Sequence, residues 1–321
     1  MNDALRQLFP GVGKHADGPL PQGLYGYAWR TSLRQQIVLS LLTVLVFPLS
    51  LMPLELQRRM VNGALNSGDL HLLLRLGAVY LAVQLAYGGL KYARNLYQGR
   101  IGEGVIRQLR SRVLSVDRTQ PNDRSEHGRH ISMITAETEQ LGTFVAESIA
   151  FPLFQGGIAL SVLGYMLVTQ SLMAVVAIVF LVPPLIVVPI VQRRVNRRVA
   201  ARTRLLRELS EHMSKDGDTR PQGATRHPRG GYVDRIYVTR VGIYRLKYFL
   251  KFFVNLMNAM GPLGILLVGG WLVIRGDTQV GTIVAFLSGY ERIADPSRSL
   301  LGFYSRLSRM RTQYKLLRRA T

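Results

Sequence analysis

The sequence predicts an all-α membrane protein with six transmembrane helices, and three observations predict it. Apolar residues are gathered into long blocks: Ile37 to Leu54, Ser148 to Gln192 and Phe252 to Ile274 contain no Asp, Glu, Lys or Arg. A hydrocarbon core of ~30 Å requires ~20 helical residues at a rise of ~1.5 Å each. The middle block is too long for one span and suits two, joined by a tight turn at Thr169-Gln170-Ser171. Weaker blocks at Leu76 to Leu90 and Thr278 to Tyr290 bring the spans to six. The third observation is where the charge falls. The chain holds 41 Lys and Arg against 19 Asp and Glu, a net charge of +22, yet 48% of its residues are hydrophobic. Such a mixture is compatible with a bilayer only if the two classes are segregated, as they are here.

A net charge of this size raises the question of nucleic acid. With the N-terminus inside, only Arg58, Arg59, Arg75 and Arg275 fall in non-cytoplasmic loops, and the other basic residues are assigned to the cytoplasmic side. Positive residues concentrate in short cytoplasmic loops of multi-pass proteins, so topology accounts for the charge. No aromatic-and-basic module interrupts the membrane pattern, and no nucleic acid is expected as a partner. Anionic lipid head groups are a natural counterpart for part of the charge. The absence of cysteine excludes disulfides and thiolate metal sites.

Residues 1–23 read as a flexible arm rich in Gly and Pro, with no apolar signal-peptide core before the first span. Leu24 to Arg34 combines Tyr25, Tyr27 and Trp29 with Arg30 and Arg34. It suits either a short helix in the interface or the start of the first span. The spans are placed at about 36–56, 72–97, 148–168, 172–192, 249–274 and 278–300. Pro48 and Pro53 are the expected kinks of the first. Asn66-Ser67-Gly68-Asp69 and Arg275-Gly276-Asp277 are the external turn signals.

Several helices overshoot the bilayer. Ile101, Val105, Leu109 and Val113 recur every four residues beyond the second span, an amphipathic pattern that extends ~40 Å from Lys91 to Asp117. Residues 118 to 130 read as a polar turn, and a returning helix is expected from near His130. Val195, Val199, Leu206, Leu209 and Met213 form a stripe beyond the fourth span. Leu300, Tyr304, Leu307, Met310, Tyr314 and Leu317 do so beyond the sixth. Thr219 to Gly231 reads as a loop. Apolar stripes in water require partners, so these extensions are expected to bundle with each other and with another protein.

This layout resembles the six-helix transmembrane domain of ABC exporters, the type-1 fold. The resemblance rests on Gly269-Gly270-Trp271-Leu272-Val273-Ile274-Arg275-Gly276-Asp277-Thr278 followed by Gly281, Phe286 and Pro296. It rests also on Gly128, Ile131, Ser132, Ile134 and Glu137 in the first cytoplasmic loop, and on Pro53 through Gly63-Ala64-Leu65. Together these run over roughly residues 24 to 320, so 24–321 is expected to be one such domain. Two features depart from the family pattern. Glu211 is present, but the stretch from Lys215 to Gly231 lacks the Gly and Val-Lys pattern of the family's second coupling helix. The sequence stops at Thr321, where the family usually continues into a nucleotide-binding domain.

The resemblance implies a transmembrane subunit of an ATP-driven transporter, an exporter, in a bacterial plasma membrane with both termini cytoplasmic. It implies two transmembrane domains, identical or different, with the fourth and fifth helices crossing onto the partner. ATP and Mg²⁺ would be bound by a partner ABC ATPase, making this chain no enzyme by itself. Asp123, Gly128, Ile131, Glu137 and Glu211 would face the ATPase. Gln155, Asn255 and Asn258 are polar residues inside spans, as is Gln84. Intramembrane polar groups are costly unless paired, so they either line a substrate cavity or bond helix to helix. The alternative is a non-transporting assembly or sensor protein of the same fold, or an inactive truncation. A secondary transporter is disfavoured, since the spans show no convincing midplane ionisable residue.

Other motifs fail on physical grounds. Gly13-Lys14 has Leu8 where a P-loop requires its first glycine. Leu287-Ser288-Gly289-Tyr290-Glu291 has the look of an ATPase signature loop but lies inside a span. Glu126, His127 and His130 read as a solvated loop edge, and no metal site is assigned.

Overall fold

The computed structural model describes residue 21 and residues 23–117, 138–215 and 228–320. Six long helices follow one another: α1 (Leu24–Arg59, continued by a π-helical segment Met60–Leu65), α2 (Leu70–Asp117), α3 (Ala150–Thr169, preceded by helical residues 138–147), α4 (Ser171–Lys215), α5 (Pro228–Ile274) and α6 (Val280–Ala320). No strand occurs among the described residues. The helix of α5 begins at Pro228, inside the stretch expected to be a loop; proline is well suited to a first helical position because it has no N–H to leave orphaned.

Among the described residues five helices are long and apolar enough to cross a membrane: Leu24–Leu65, Leu70–Ser111, Thr138–Thr169, Ser171–Glu211 and Gly231–Ile274. The expected sixth, α6, carries Glu291, Arg292, Asp295 and Arg298 within residues 278–300, which lowers its hydropathy. Its first turns are nonetheless buried at Ile283, Ala285, Phe286, Tyr290 and Ile293, and the helix packs on α1 and α3. The helices α2, α4, α5 and α6 have 48, 45, 47 and 41 residues. Each is therefore ~60–70 Å long, about twice a hydrocarbon core. The outward faces carry Leu41, Leu45, Leu81, Leu85, Leu160 and Leu267, side chains that lipid can cover.

The turns follow the sequence signals. At Gly68 (φ 68°) the Asp69 N–H bonds the Ala64 carbonyl at 3.0 Å and the Gly68 N–H bonds Leu65 at 3.4 Å. At Gly276 (φ 83°) Asp277 bonds Leu272 at 2.9 Å and Gly276 bonds Val273 at 3.0 Å. Both are Schellman caps, in which a left-handed glycine lets the last carbonyls of a helix be satisfied. Asp69 Oδ1 then accepts from the Leu72 N–H at 3.0 Å and caps α2. Between α3 and α4 a single extended residue, Gln170, makes the turn.

The break in α1 lies at Ser32 (φ −139°, ψ 29°), where two helices meet, rather than at Pro48 or Pro53. The Ser32 hydroxyl donates to the Ala28 carbonyl at 2.8 Å and satisfies a group the break would expose. This divides an N-terminal helix from the span, in keeping with the interface reading.

The chain forms two compact units, residues 1–174 with 268–321 and residues 175–267. In the first unit the extensions share one apolar core. Ile101, Val105 and Leu109 of α2 are buried with Leu141, Phe144 and Val145, with Tyr27 of α1, and with Phe303, Met310 and Tyr314 of α6. Phe303 stacks on Phe144 (centroids 5.4 Å) and Phe151 (5.3 Å), and Tyr27 meets Tyr314 at 5.7 Å. The expected α6 stripe is corrected in one position: Tyr304 is 68% exposed, and Phe303 at 6% takes the buried place. Residues 303, 307, 310 and 314 have the 4-3-4 spacing of one helix face, which 304 leaves by a full residue step.

The second unit is an antiparallel pair made from α4 and α5. Val191 and Val195 are buried against Ile243, with Val187, Leu246 and Leu250 around them. Nearer the other end Gly264 lies against Val176 and Phe180, so close that a Cβ there would come within 2.9 Å of both side chains. Of the stripe expected beyond the fourth span, Val195 is buried and Leu209 half-buried, whereas Val199 and Leu206 are exposed.

Candidate functional site

The first unit carries polar groups where its helices meet. Among them is Arg94 of α2, only 4% exposed. Its Nε donates to Thr43 Oγ1 of α1 at 3.1 Å, one terminal nitrogen donates to the Ala150 carbonyl of α3 at 3.3 Å, and the other to Asn95 Oδ1 at 2.9 Å. The guanidinium carbon sits 4.1 Å from the centre of the Phe154 ring. A buried cation is costly unless its donors are met, and the planar guanidinium meets several at once. Arg94 thereby joins α1, α2 and α3. Nearby, Arg306 of α6 pairs with Glu147 at 3.2 Å and lies over Phe151.

A second cluster lies at the end bearing the Gly68 and Gly276 turns. Glu55 of α1 receives Arg58 at 2.9 Å and Arg59 at 2.8 Å, and its Oε2 accepts from the Tyr165 hydroxyl of α3 at 3.0 Å. One turn on, in the π-helical segment, Asn62 Oδ1 accepts from the Gly281 N–H of α6 at 2.7 Å. Arg58, Arg59, Asn62, Leu72 and Gln279 line a cavity of about 500 Å³ there. Arg292 of α6 also donates to the Ser50 carbonyl of α1 at 2.9 Å.

Neither cluster is among the expectations drawn from the sequence, in which the spans hold no convincing midplane ionisable residue. A signal was available for Arg94. It falls three and then four residues before Tyr97 and Ile101, on the stripe that continues through Val105 and Leu109. A charged residue on a helix's buried face is a buried charge.

The residues singled out from sequence are distributed differently. Gln155 is half-buried in α3 of the first unit, while Asn255, exposed, and Asn258, half-buried, stand one turn apart on α5 of the second. Gln84 of α2 donates to the Tyr80 hydroxyl at 3.4 Å, a bond within its own helix. Glu211 is exposed near the end of α4, beyond a cavity of about 530 Å³ lined by Arg204, Glu208, Asp234 and Arg235. Asp123, Gly128, Ile131 and Glu137 lie outside the described residues. Among the described residues no three His, Cys, Asp or Glu side chains gather as metal ligands would.

These polar groups tie one helix to another. The family model of the ABC transporter transmembrane region matches residues 35–212, from the start of the first span to the end of the fourth helix. A multi-pass membrane protein with these helices and that match, which covers more than half of the sequence, belongs to the ABC transporter transmembrane region family.

Proposed function

We propose that this chain forms half of the translocation pathway of an ATP-driven ABC exporter in a bacterial plasma membrane, with both termini in the cytoplasm. The observation that carries the reading, beside the family, is the packed core of the helical extensions. Ile101, Val105 and Leu109 are locked against Phe144, Phe303 and Tyr314. A well-packed interior deforms little, so such a bundle acts as a lever between a cytoplasmic ATPase and the membrane.

A second transmembrane domain is the other half of this reading. In the second unit Tyr237, Val238, Tyr248, Phe249 and Phe252 are exposed along α5. A run of large apolar side chains of this kind suits helix pairing with a partner. ATP and Mg²⁺ belong to the ATPase in this scheme, and the chain contributes no catalytic residue. Asp123, Gly128, Ile131, Glu137 and Glu211 are assigned to coupling, and Gln155, Asn255 and Asn258 to the cavity wall.

The test is to express the chain in its native host, isolate it in mild detergent and identify what accompanies it. An ABC ATPase should co-purify, and vesicles holding both should move substrate only with ATP. Gly128→Val, which places a β-branched side chain in the coupling loop, should weaken ATPase association by tenfold or more while leaving membrane insertion intact. Full insertion without any associated ATPase or ATP-dependent transport would instead favour a non-transporting member of the family.

A further inference from the structure

The N-terminal helix of α1 is two-faced. Leu24, Tyr27 and Ala28 are buried in the core of the first unit, whereas Tyr25, Gly26, Trp29 and Arg30 face outward. Trp29 is 54% exposed, although it is the largest side chain a protein has to bury. Together with Ile149, these outward residues line a cavity of about 520 Å³. The Arg311 guanidinium of α6 stands 5.9 Å from the Tyr25 ring, and Arg34 is exposed one turn beyond Arg30. The break at Ser32 follows at once, and the charge-free span begins at Ile37.

The groove therefore has an apolar floor of two aromatic rings and an isoleucine, a cationic rim, and a position just before the hydrocarbon-spanning stretch. Trp and Tyr concentrate at head-group depth because one part of each ring system is apolar and the other polar. Arginine forks match phosphate oxygens. A neutral lipid would leave the rim without a counter-charge, and a soluble anion would leave the aromatic floor in water. We propose that this groove is a binding site for an anionic phospholipid, its acyl chain on Trp29, Tyr25 and Ile149 and its phosphate between Arg30 and Arg311. The inference rests on the membrane placement of α1 and does not depend on ATP coupling or on the direction of transport.

Trp29 is itself the reporter. The chain has two tryptophans, so Trp271→Phe leaves Trp29 as the sole emitter. This variant of the full chain is reconstituted in nanodiscs of unlabelled phosphatidylcholine, with a minor fraction of either phosphatidylglycerol or phosphatidylcholine brominated in its acyl chains. Brominated phosphatidylglycerol should quench Trp29 at about fivefold or more lower mole fraction than brominated phosphatidylcholine, the scale set by one basic contact near a membrane surface. The double variant Arg30→Gln/Arg311→Gln should abolish that preference. Arg193→Gln/Arg194→Gln removes the same charge from exposed positions of α4 and should leave it unchanged. Inorganic phosphate should not compete. Equal quenching by the two lipids would overturn the proposal, as would equal loss of preference in both double variants, which would indicate general charge attraction. Competition by inorganic phosphate, or no quenching because protein covers the groove, would overturn it equally.

Discussion

Asn62, in the π-helical turn after α1, caps the first turn of α6 by accepting a 2.7 Å hydrogen bond from the Gly281 N–H. The first four N–H groups of a helix have no partner within it, and a side-chain oxygen commonly satisfies one. Here the oxygen comes from a residue more than two hundred positions away, so the cap is also a contact between the two helices. Gly281 is what permits the approach. A Cβ at this position would lie 2.5 Å from both the Arg58 carbonyl and Asn62 Oδ1. This gives a physical reason for the glycine that the family pattern carries at this position.

The two residues should therefore differ in how they respond to substitution. Asn62→Ala removes the cap and should cost about 1 kcal/mol. Gly281→Ala adds a single methyl group but forces backbone apart, and should cost about 1–3 kcal/mol. Thermal unfolding of the two variants in nanodiscs gives the order directly. A Gly281→Ala protein as stable as the parent would mean that the helices are not in this contact.

The packed face of α6 provides a second comparison between adjacent aromatic residues. Phe303→Ala removes a ring stacked on Phe144 and Phe151 and should cost about 3–5 kcal/mol. Tyr304→Ala, on the exposed side, should stay within about 0.5 kcal/mol. Denaturant unfolding of the two variants decides the register, and the reverse order would restore the face expected from sequence.

That reversal shows what the sequence could and could not convey. Periodicity located the α2 stripe, because Ile101, Val105 and Leu109 are aliphatic and their neighbours Glu103, Arg107 and Arg110 are charged. On α6 it offered two adjacent aromatics, and the choice between them depends on Phe144 and Phe151, which come from another helix. The turns at Gly68, Gln170 and Gly276 were legible because their chemistry is local. Gly157 was not, since its lack of a side chain is explained only by the Phe47 ring of α1 lying against it. Of the candidate site, the polar residues inside the spans were legible, but the groups that bind helix to helix, Arg94, Glu55 and Asn62, were not. Their partners lie on other helices, and pairing across helices has no local signature.

Topology can be tested with unusual economy, because the chain has no cysteine to remove. Single cysteines at Ser67 and Asp277, beside the two left-handed glycines, should react with a membrane-impermeant maleimide in intact cells. Cysteines at Ser125 and Thr225 should react only after permeabilisation. The basic residues demand this arrangement if they follow the positive-inside rule. Labelling of Ser125→Cys in intact cells would reverse the orientation proposed for the chain.

Arg94 offers the most informative measurement, because its bonds reach two other helices. Removing a buried charged donor leaves the Thr43 hydroxyl and the Ala150 carbonyl without it, and also forfeits the contact with the Phe154 ring. Arg94→Met keeps the length of the side chain and should cost about 2–3 kcal/mol, hydrogen bonds to charged groups being worth more than neutral ones. Arg94→Lys should rescue little of this. A single ammonium cannot span Thr43, Asn95 and Ala150 at once, and it lacks the flat face that lies on Phe154. Thr43→Val removes the hydroxyl and should cost about 1 kcal/mol. The double variant isolates the bond: if Arg94 and Thr43 are partners, the combined loss should fall short of the sum by about 1 kcal/mol. Strict additivity would separate the pair, and would leave Arg94 fastened to α3 alone.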